Sequence, residues 1–340
     1  MASSLLYKGD CMELFKNIEN NSIDLILCDP PYGTMRGDFG QDTDNNRNRK
    51  NLNKIGKWDI ALDTQKMLDE CTRVLRPNGK CIIFSQEPYT SELITKQTVD
   101  LPFSYPMYWL KNCSGNVLGA KKNCLQYIEV MLLFKKKVYG DEVYAESNVR
   151  QYLKEEYEKT GFTMSQINKL IGCSSMSNHY FGDGRQFAIP SEKNYKKLQT
   201  TGYFKKPYEE IKNAKKVDYQ STFNLNGANS KSNVFQYAKP SSNKSVHPTQ
   251  KPTEIIRRFV KALSYEGALV LDFFAGSGTT GRVCIEENRH SIMVDADESL
   301  MGYFNKHLEK ADLSKSKPYE IIENPSIDEF LNIVRKSVNE

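Results

Sequence analysis

The segment Asp29-Pro30-Pro31-Tyr32 directly follows an apolar run that ends at Cys28. The prolines remove two backbone donors and hold the chain in a rigid, extended turn, so the Asp29 carboxylate and the Pro30 carbonyl project as acceptors. An amino group on an aromatic base is a poor nucleophile because its lone pair is delocalised into the ring. Two acceptors that hold its N–H bonds draw the nitrogen toward tetrahedral geometry, and Tyr32 offers a face for stacking. The tetrapeptide therefore predicts a site that activates an aromatic amine, with an ordinary strand-to-loop turn as the alternative for these four residues alone.

A second chemical motif, LVLDFFAGSGTTG at residues 269–281, follows an apolar strand pattern and opens a helix pattern. Its glycines permit a tight turn and a close approach to the backbone, and the N-terminus of the following helix suits a carboxylate or phosphate. A further apolar strand, 291–294, ends at an acidic residue that can accept hydrogen bonds from ribose hydroxyls. The motif predicts a cofactor that contains a nucleoside. Its candidate contacts in this region are Asp272, Phe273, Phe274, Gly276, Gly278, Thr279 and Asp295.

Residues 276–281 also fit the G-x-G-x-x-G pattern of dinucleotide-binding oxidoreductases, and the distance to Asp295 is compatible with either reading. A hydride-transfer enzyme, however, leaves the segment 29–32 unexplained and has no evident need of a basic insert. The two motifs together therefore favour a group transfer to a base over an NAD-dependent oxidation.

The elements that position these motifs alternate between strand and helix patterns. Before residue 136, strands are predicted at 22–28, 80–84, 101–110 and 127–134, and a helix at 65–75. After residue 247, helices are predicted at 253–263, 279–287 and 299–308, and strands at 268–273 and 291–294. This alternation predicts an α/β fold with a largely parallel sheet. An antiparallel edge pair is expected to end the sheet, because no helix pattern separates 101–110 from 127–134. The polar stretch 33–58 has no periodicity and is predicted to be a functional loop.

Positive charge is concentrated in the middle third of the chain. Residues 136–246 contain 18 Lys and Arg against 11 Asp and Glu, whereas the remainder contains 29 against 31. The excess predicts a surface that faces a polyanion, with a merely solvated surface as the alternative. Within this segment, residues 163–181 match a helix, a glycine-containing turn and a second helix, as in a helix-turn-helix or a plain helical hairpin. The candidate contacts to such a polyanion here are Ser175, Asn178, His179, Lys196, Lys197, Lys205 and Lys206.

Composition disfavours several classes of protein. In 340 residues, no apolar run approaches the ~20 residues needed to cross a bilayer, and the start MASSLLYKGD lacks the pattern of a signal peptide. The eight cysteines form no C-x-x-C pair and the four histidines show no metal-ligand spacing. We expect a cytoplasmic protein without a metal site, a disulfide framework or a membrane anchor.

The two motifs and their order resemble the β class of amino-methylating DNA methyltransferases, in which D-P-P-Y precedes F-x-G-x-G, here Phe274–Gly278. The resemblance covers residues 5–135 and 247–310. The segment Leu5–Asp10 resembles the strand and acidic turn that reaches the adenine of S-adenosyl-L-methionine (AdoMet). The segment His247-Pro-Thr249-Gln-Lys251-Pro resembles the segment that lines the methionine end of that cofactor.

What the resemblance implies is a site-specific enzyme, bacterial or phage-encoded, that methylates adenine N6 in double-stranded DNA after base flipping. In this family Asp at the first position of the tetrapeptide points to adenine N6, whereas Ser is commoner in cytosine-N4 enzymes. A cytosine-N4 or RNA methyltransferase and an inactive DNA-binding relative stay open as alternatives, as does a homodimer. The biological setting, for example restriction-modification, stays open too.

The fold that the resemblance implies is a seven-stranded, mostly parallel sheet with a reversed hairpin and a circularly permuted motif order. Three regions follow from it. Residues 1–137 form the catalytic half, residues 138–246 a mainly helical inserted recognition region, and residues 247–340 the AdoMet-binding half with the C-terminal helices.

Overall fold

The computed structural model describes residues 2–33, 62–114, 124–144, 148–214, 232–240, 250–297, 299–314 and 316–323, together with 326, 329 and 332. His247, Thr249 and nearly all of the stretch 33–58 lie outside the described residues. The chain forms two compact units. The first combines Met1–Lys136 with Ser221–Glu340, and the second is Lys137–Gln220.

The first unit contains a sheet of nine strands in the described part of the chain. These are β1 (Ala2–Lys8), β2 (Ile23–Cys28), β3 (Leu75–Ser85), β4 (Phe103–Leu110), β5 (Ile128–Lys135), β6 (Val234–Gln236), β7 (Leu269–Asp272), β8 (His290–Asp295) and β9 (Tyr319–Glu323). Their order is β6-β4-β5-β3-β2-β7-β8-β1-β9. Only β5 runs against its neighbours, because its pairings with β3 and β4 are antiparallel and the other pairings are parallel. The α/β fold with a mostly parallel sheet is therefore confirmed.

Two strands beyond the expected seven correct the predicted sheet. β6 pairs in parallel with β4, so the antiparallel pair of β4 and β5 does not lie at the sheet edge as predicted. β9 pairs with β1 at the other edge. Both are short, and their side chains are mostly exposed, so neither carries the apolar pattern on which sequence prediction depends.

The helices of this unit cover both faces of the sheet. They are α1 (Cys11–Phe15), α2 (Thr64–Val74), α3 (Tyr89–Thr95), α10 (Thr253–Leu263), α11 (Thr279–Glu286) and α12 (Leu300–Leu308). In β2, Ile26 and Cys28 pack with α1 and α2, whereas Leu25 and Leu27 pack with α10. A strand buried on both faces reads as a continuous apolar run, which explains the sequence of β2.

The connection between α2 and β3 differs from the prediction. The predicted helix at 65–75 and strand at 80–84 leave the turn residues Pro77, Asn78 and Gly79 between them, but the strand begins at Leu75. Asn78 adopts a left-handed φ of 64°, and the pairing register shifts between Ile23 and Leu25. This irregularity lets the strand pass through the turn residues without ending.

The second unit has its own core of aromatic and aliphatic side chains. Its helices are α4 (Gly140–Val143), α5 (Val149–Thr160), α6 (Met164–Ile171), α7 (Met176–Phe181), α8 (Glu192–Gln199) and α9 (Tyr208–Lys212). Helix α6 ends at Gly172, whose φ of 79° is the left-handed conformation that favours glycine. Asn168 Oδ1 accepts a hydrogen bond of 2.9 Å from the Ser177 amide and so fixes the start of α7. The helix, turn and second helix predicted at 163–181 are therefore present.

One further fact concerns the extent of the second unit. The compact second unit ends at Gln220, and residues 234–236, within the predicted recognition region, pair with the sheet of the first unit.

Among the described helices, none has the length and apolar character required to cross a bilayer.

Candidate active site

The two chemical motifs leave the sheet from neighbouring strands. β2 and β7 pair in parallel, with Leu25 opposite Val270 and Ile26 opposite Leu271. From β2 the chain continues to β3 on one side, and from β7 it continues to β8 on the other. Such a divergence opens a crevice at the carboxyl ends of the strands, where open α/β sheets bind ligands. The fold therefore brings the two motifs together at this point of the sheet.

The tetrapeptide places a phenol, a carboxylate and a second aromatic ring together. The Tyr32 hydroxyl donates a 2.6 Å hydrogen bond to Asp29 Oδ1. Burial, and then the charge of Asp29, raise the pKa of Tyr32 well above its usual value, so the phenol stays a neutral donor. The Tyr32 ring stacks on Tyr89, with centroids 6.0 Å apart and an interplanar angle of 26°. Tyr89 was not predicted as a site residue. Its only indication in the sequence is its position soon after the end of the predicted strand 80–84.

Lys251 contacts the other oxygen of Asp29. Its ammonium donates to Asp29 Oδ2, lies 3.8 Å from Glu129 Oε2, and sits 5.0 Å from the centroid of the Phe84 ring. Its side chain is only 11 % exposed. Burial opposes its charge, but Asp29 and Glu129 outweigh burial and raise the pKa of Lys251. The residue predicted to contact the cofactor thus forms an ion pair with the predicted catalytic carboxylate.

Glu129 extends this pair into a row of alternating charges. Lys111 Nζ lies 3.9 Å from Glu129 Oε1 and 5.8 Å from the centroid of the Trp109 ring. Trp109 and Glu129 are cross-strand partners on β4 and β5, which places the row on the rigid sheet. Glu129 falls within the predicted strand 127–134 and Lys111 directly follows the predicted strand 101–110, but nothing in their spacing connects them to Lys251.

The turn after β7 requires glycine at several positions. Gly276 and Gly278 have φ of 50° and 74°, in the left-handed region. A Cβ on Gly278 would lie 2.8 Å from the Phe304 ring, and one on Gly281 would lie 2.2 Å from the Met293 sulfur. Around Gly276, by contrast, the nearest neighbour of such a Cβ would be the Phe274 carbonyl at 3.9 Å. The turn is therefore packed tightly beneath Gly278 and leaves room beside Gly276.

Asp272 stabilises this turn through two hydrogen bonds. Its Oδ2 accepts a 2.5 Å hydrogen bond from the Thr280 hydroxyl, and its Oδ1 accepts one of 3.2 Å from the Phe274 amide. Burial raises the pKa of Asp272 to about 7, against the opposing effect of those two donors. Asp272 thus connects β7 to the first turn of α11.

The Thr279 hydroxyl lies 2.8 Å from the Ser277 hydroxyl and 3.4 Å from Nε2 of the buried His307. Thr279 is itself only 5 % exposed, so it belongs to the interior of the turn. The sequence assigned no role to His307.

The two acidic candidates on the other side of the turn also lie on neighbouring strands. β1 pairs with β8, with Lys8 opposite Asp295, so Asp10 and Asp295 both follow the carboxyl ends of these strands. Asp295 Oδ2 accepts a 2.7 Å hydrogen bond from the Gly276 amide. Asp10 Oδ1 accepts one of 2.7 Å from the Met12 amide and thereby caps α1. Asp295 therefore contacts the glycine turn directly, whereas Asp10 follows the next strand of the sheet.

The candidate DNA contacts of the second unit fall into two groups. Ser175, Asn178 and Lys205 are exposed, and Lys196 and Lys206 are exposed but paired with Glu192 and Glu210. Lys197 donates a 2.6 Å hydrogen bond to the Ile171 carbonyl, and His179 Nδ1 lies 2.9 Å from the Gln186 carbonyl. The last two side chains are therefore engaged within the unit itself.

Comparison with known families identifies the class of protein. The model of the N6/N4 methyltransferase family, described as "DNA methylase", matches residues 23–306. The chain belongs to this family and is a DNA methyltransferase.

Individual relatives match most of the chain. The type II methyltransferase M.HpaI of Haemophilus parainfluenzae is 26 % identical and covers 88 % of this chain and 73 % of its own length. The DNA adenine methyltransferase YhdJ of Escherichia coli K12 is 24 % identical and covers 90 % of this chain and 82 % of its own. A solved structure of a putative DNA modification methylase from Thermus thermophilus, complexed with S-adenosyl-L-methionine, is 14 % identical, with a TM-score of 0.47 over 94 % of this chain and 99 % of its own.

Proposed function

We propose that the protein transfers a methyl group from AdoMet to adenine N6 in double-stranded DNA. The observation that carries the proposal is the Asp29 carboxylate, held at the end of β2 beside the glycine turn that follows the neighbouring β7. Asp in this position, where cytosine-N4 enzymes more often have Ser, favours adenine. The relative YhdJ is itself described as a DNA adenine methyltransferase.

The residues around the glycine turn fit AdoMet. The room beside Gly276 admits a ligand close to the backbone, and Asp10 and Asp295 supply carboxylates on the side of β1 and β8. We assign the turn from Phe274 to Thr279 to the cofactor, with Asp295 near the ribose and Asp10 near the adenine. His247 and Thr249 keep their assignment to the methionine end. When bound, AdoMet supplies an electrophilic methyl group on a sulfonium.

The protein's own part in the reaction is to hold and activate the amine. The flipped adenine stacks on Tyr32, which Tyr89 backs from the other side, and presents N6 to Asp29 and to the Pro30 carbonyl. These acceptors localise the nitrogen lone pair and position it in line with the methyl group. The carbon–sulfur bond of bound AdoMet would be replaced by a carbon–nitrogen bond, and the proton that the nitrogen gives up would pass to solvent.

The second unit is assigned to recognition of DNA. Its exposed Ser175 and Asn178 lie at the start and on the outer face of α7, where short polar side chains can reach base edges. Lys196, Lys205 and Lys206 are exposed and suit phosphates. Of the predicted contacts, Lys197 and His179 are the least suited, since each already bonds within the unit.

The test is to incubate purified protein with AdoMet and duplex DNA of varied sequence and to analyse the digested nucleosides by mass spectrometry. N6-methyladenine is expected. Detection of N4-methylcytosine alone would overturn the choice of base and leave the methyltransferase assignment standing. Transfer to RNA but not to DNA would overturn the substrate.

A further inference from the structure

We propose that Lys251 is a positioning residue for the catalytic carboxylate of Asp29, and that Glu129 anchors Lys251 in that position. The proposal rests on the proposed function and goes beyond it, because the sequence assigned Lys251 to the cofactor. It also gives a role to Glu129, which no motif includes.

The carboxylate of Asp29 is held by two donors from distant parts of the chain. Tyr32, three residues away, donates to Oδ1, whereas Lys251, 222 residues away, donates to Oδ2. One donor leaves a carboxylate free to turn about its bond to the side chain, but two donors on different oxygens define its plane. An ionised carboxylate has about four acceptor positions, so these two donors leave room for an N–H of the target amine.

Several contacts fix the position of Lys251. Its ammonium lies between the carboxylates of Asp29 and Glu129 and against the face of Phe84. A buried ammonium removed from its partners suffers a large desolvation penalty, and so do the carboxylates left behind. Contact with the carboxylate of AdoMet would add a third anion to an ammonium that already lies between the carboxylates of Asp29 and Glu129. The geometry therefore assigns its charge to the amine-binding side of the site.

Glu129 determines how far Lys251 can move. At 3.8 Å its Oε2 is too far for a direct hydrogen bond and close enough for strong attraction across a poorly hydrated space. Lys111 holds Glu129 from the opposite side at 3.9 Å. Removal of the charge at position 129 should therefore loosen Lys251 and, through it, Asp29.

The experiment compares Lys251→Met, Lys251→Arg and Glu129→Gln with the wild type. AdoMet affinity is measured by calorimetry without DNA, and the methyl-transfer rate in a single turnover with AdoMet saturating. We expect Lys251→Met to slow transfer by about 100-fold, the usual cost of a misplaced reacting group. Its AdoMet dissociation constant should change less than about twofold, within the scatter of such comparisons. Lys251→Arg, which keeps the charge, should recover part of the rate, and Glu129→Gln should slow transfer by about 10-fold.

Lys80→Met is the matched control, because it removes another buried ammonium from the same sheet, at the middle of β3. It should leave the transfer rate unchanged. A Lys251→Met protein that binds AdoMet at least tenfold more weakly, yet transfers at the wild-type rate when saturated, would overturn the proposal and return Lys251 to the cofactor. Should that variant not fold, Glu129→Gln decides, and a wild-type rate there overturns the proposal. A wild-type protein that methylates no nucleic acid would instead contradict the proposed function.

Discussion

The backbone amide of Gly276 donates a 2.7 Å hydrogen bond to Asp295 Oδ2, which ties the glycine turn after β7 to the end of β8. The other oxygen, Oδ1, accepts a hydrogen bond of 2.9 Å from the Asp297 amide. The residue expected to contact the ribose therefore also holds the shape of the turn. Its two tasks are separable by substitution.

Asp295→Ala should weaken AdoMet binding by about 1–3 kcal/mol, because both the turn and the ribose lose an acceptor. Asp295→Asn keeps one acceptor but presents an amide N–H to one of the two backbone donors, so it should fall between alanine and the wild type. Calorimetry without DNA measures both. Asp297→Ala is the control, since Asp297 reaches Asp295 only through its backbone. An unchanged dissociation constant for Asp295→Ala would remove this residue from the site.

Asp29→Ala should abolish methyl transfer and leave AdoMet binding nearly unchanged. Asp29 is assigned to the target amine, and its contacts are with Tyr32 and Lys251. The substitution also strands the charge of Lys251, so the free energy of unfolding should fall by about 1–3 kcal/mol. Single-turnover assays, calorimetry and urea unfolding report the three effects separately. Loss of AdoMet affinity comparable to that of Asp295→Ala would contradict the division of labour between the motifs.

Tyr89→Leu should weaken the stacking site for the flipped base without touching its hydrogen bonds. An aromatic pair contributes about 0.5–1.5 kcal/mol beyond its buried area, so the KM for DNA should rise several-fold. Tyr32→Phe is the counterpart, because it keeps the ring and removes the hydrogen bond to Asp29. It should lower kcat more than it raises KM. If the two variants gave the same profile, the stacking and orienting roles of this pair would not be separate.

The pKa of Asp272 predicts a dependence of stability on pH. An unfolded Asp loses its proton near pH 4, whereas burial raises the pKa of Asp272 to about 7 in the folded protein. The folded state therefore binds more protons between these values. The stabilisation that protonated Asp272 gives to the folded state is complete below about pH 4 and is lost as the pH rises to about 7. The free energy of unfolding of Asp272→Asn, relative to the wild type, should therefore increase across this interval.

Urea unfolding without AdoMet at several pH values measures this difference. Burial lowers the pKa of His290 and of His307 to about 4. On the acid side these two residues therefore make the free energy of unfolding increase with pH, opposite to the effect of Asp272, in either protein. Because they are present in both proteins, their contributions cancel in the comparison. A difference that stays constant from pH 4 to 8 would show that Asp272 is ionised throughout.

Substitutions in the second unit can separate recognition of the DNA sequence from sequence-independent binding to its phosphates. Ser175→Ala and Asn178→Ala should change discrimination among sites, because contacts to base edges carry sequence information. Lys205→Met should weaken binding to all duplexes and reduce the salt slope by about one unit. Lys197→Met is the control, because this lysine closes α6 and should alter stability more than the salt slope. Competition assays with cognate and scrambled duplexes at several salt concentrations distinguish these outcomes. Wild-type behaviour of Ser175→Ala, Asn178→Ala and Lys205→Met would place recognition elsewhere.

Much of the catalytic unit could be predicted from the sequence because its elements are strongly patterned. The amphipathic helix expected at 253–263 has those bounds in the structure, and its apolar positions all face one cluster. The sequence also placed both chemical motifs at the ends of strands, and the structure makes those strands, β2 and β7, neighbours. The pairing of Lys251 with Asp29, the stacking of Tyr89 on Tyr32 and the short strand β6 could not be predicted, since each depends on proximity that only the folded chain creates.

The placement of β1 has a consequence for the order in which the protein takes shape during synthesis. β1 lies between β8 and β9, and its Ser4 side chain bonds to Ser291, 287 residues further along the chain. Because β1 is synthesised long before β8 and β9, it must stay without either neighbour until those strands have been made. Contacts of such long range make folding slow and leave apolar strand residues exposed in the meantime. Production of this enzyme should for that reason benefit more from slower translation or chaperones than from changes that merely stabilise its final fold.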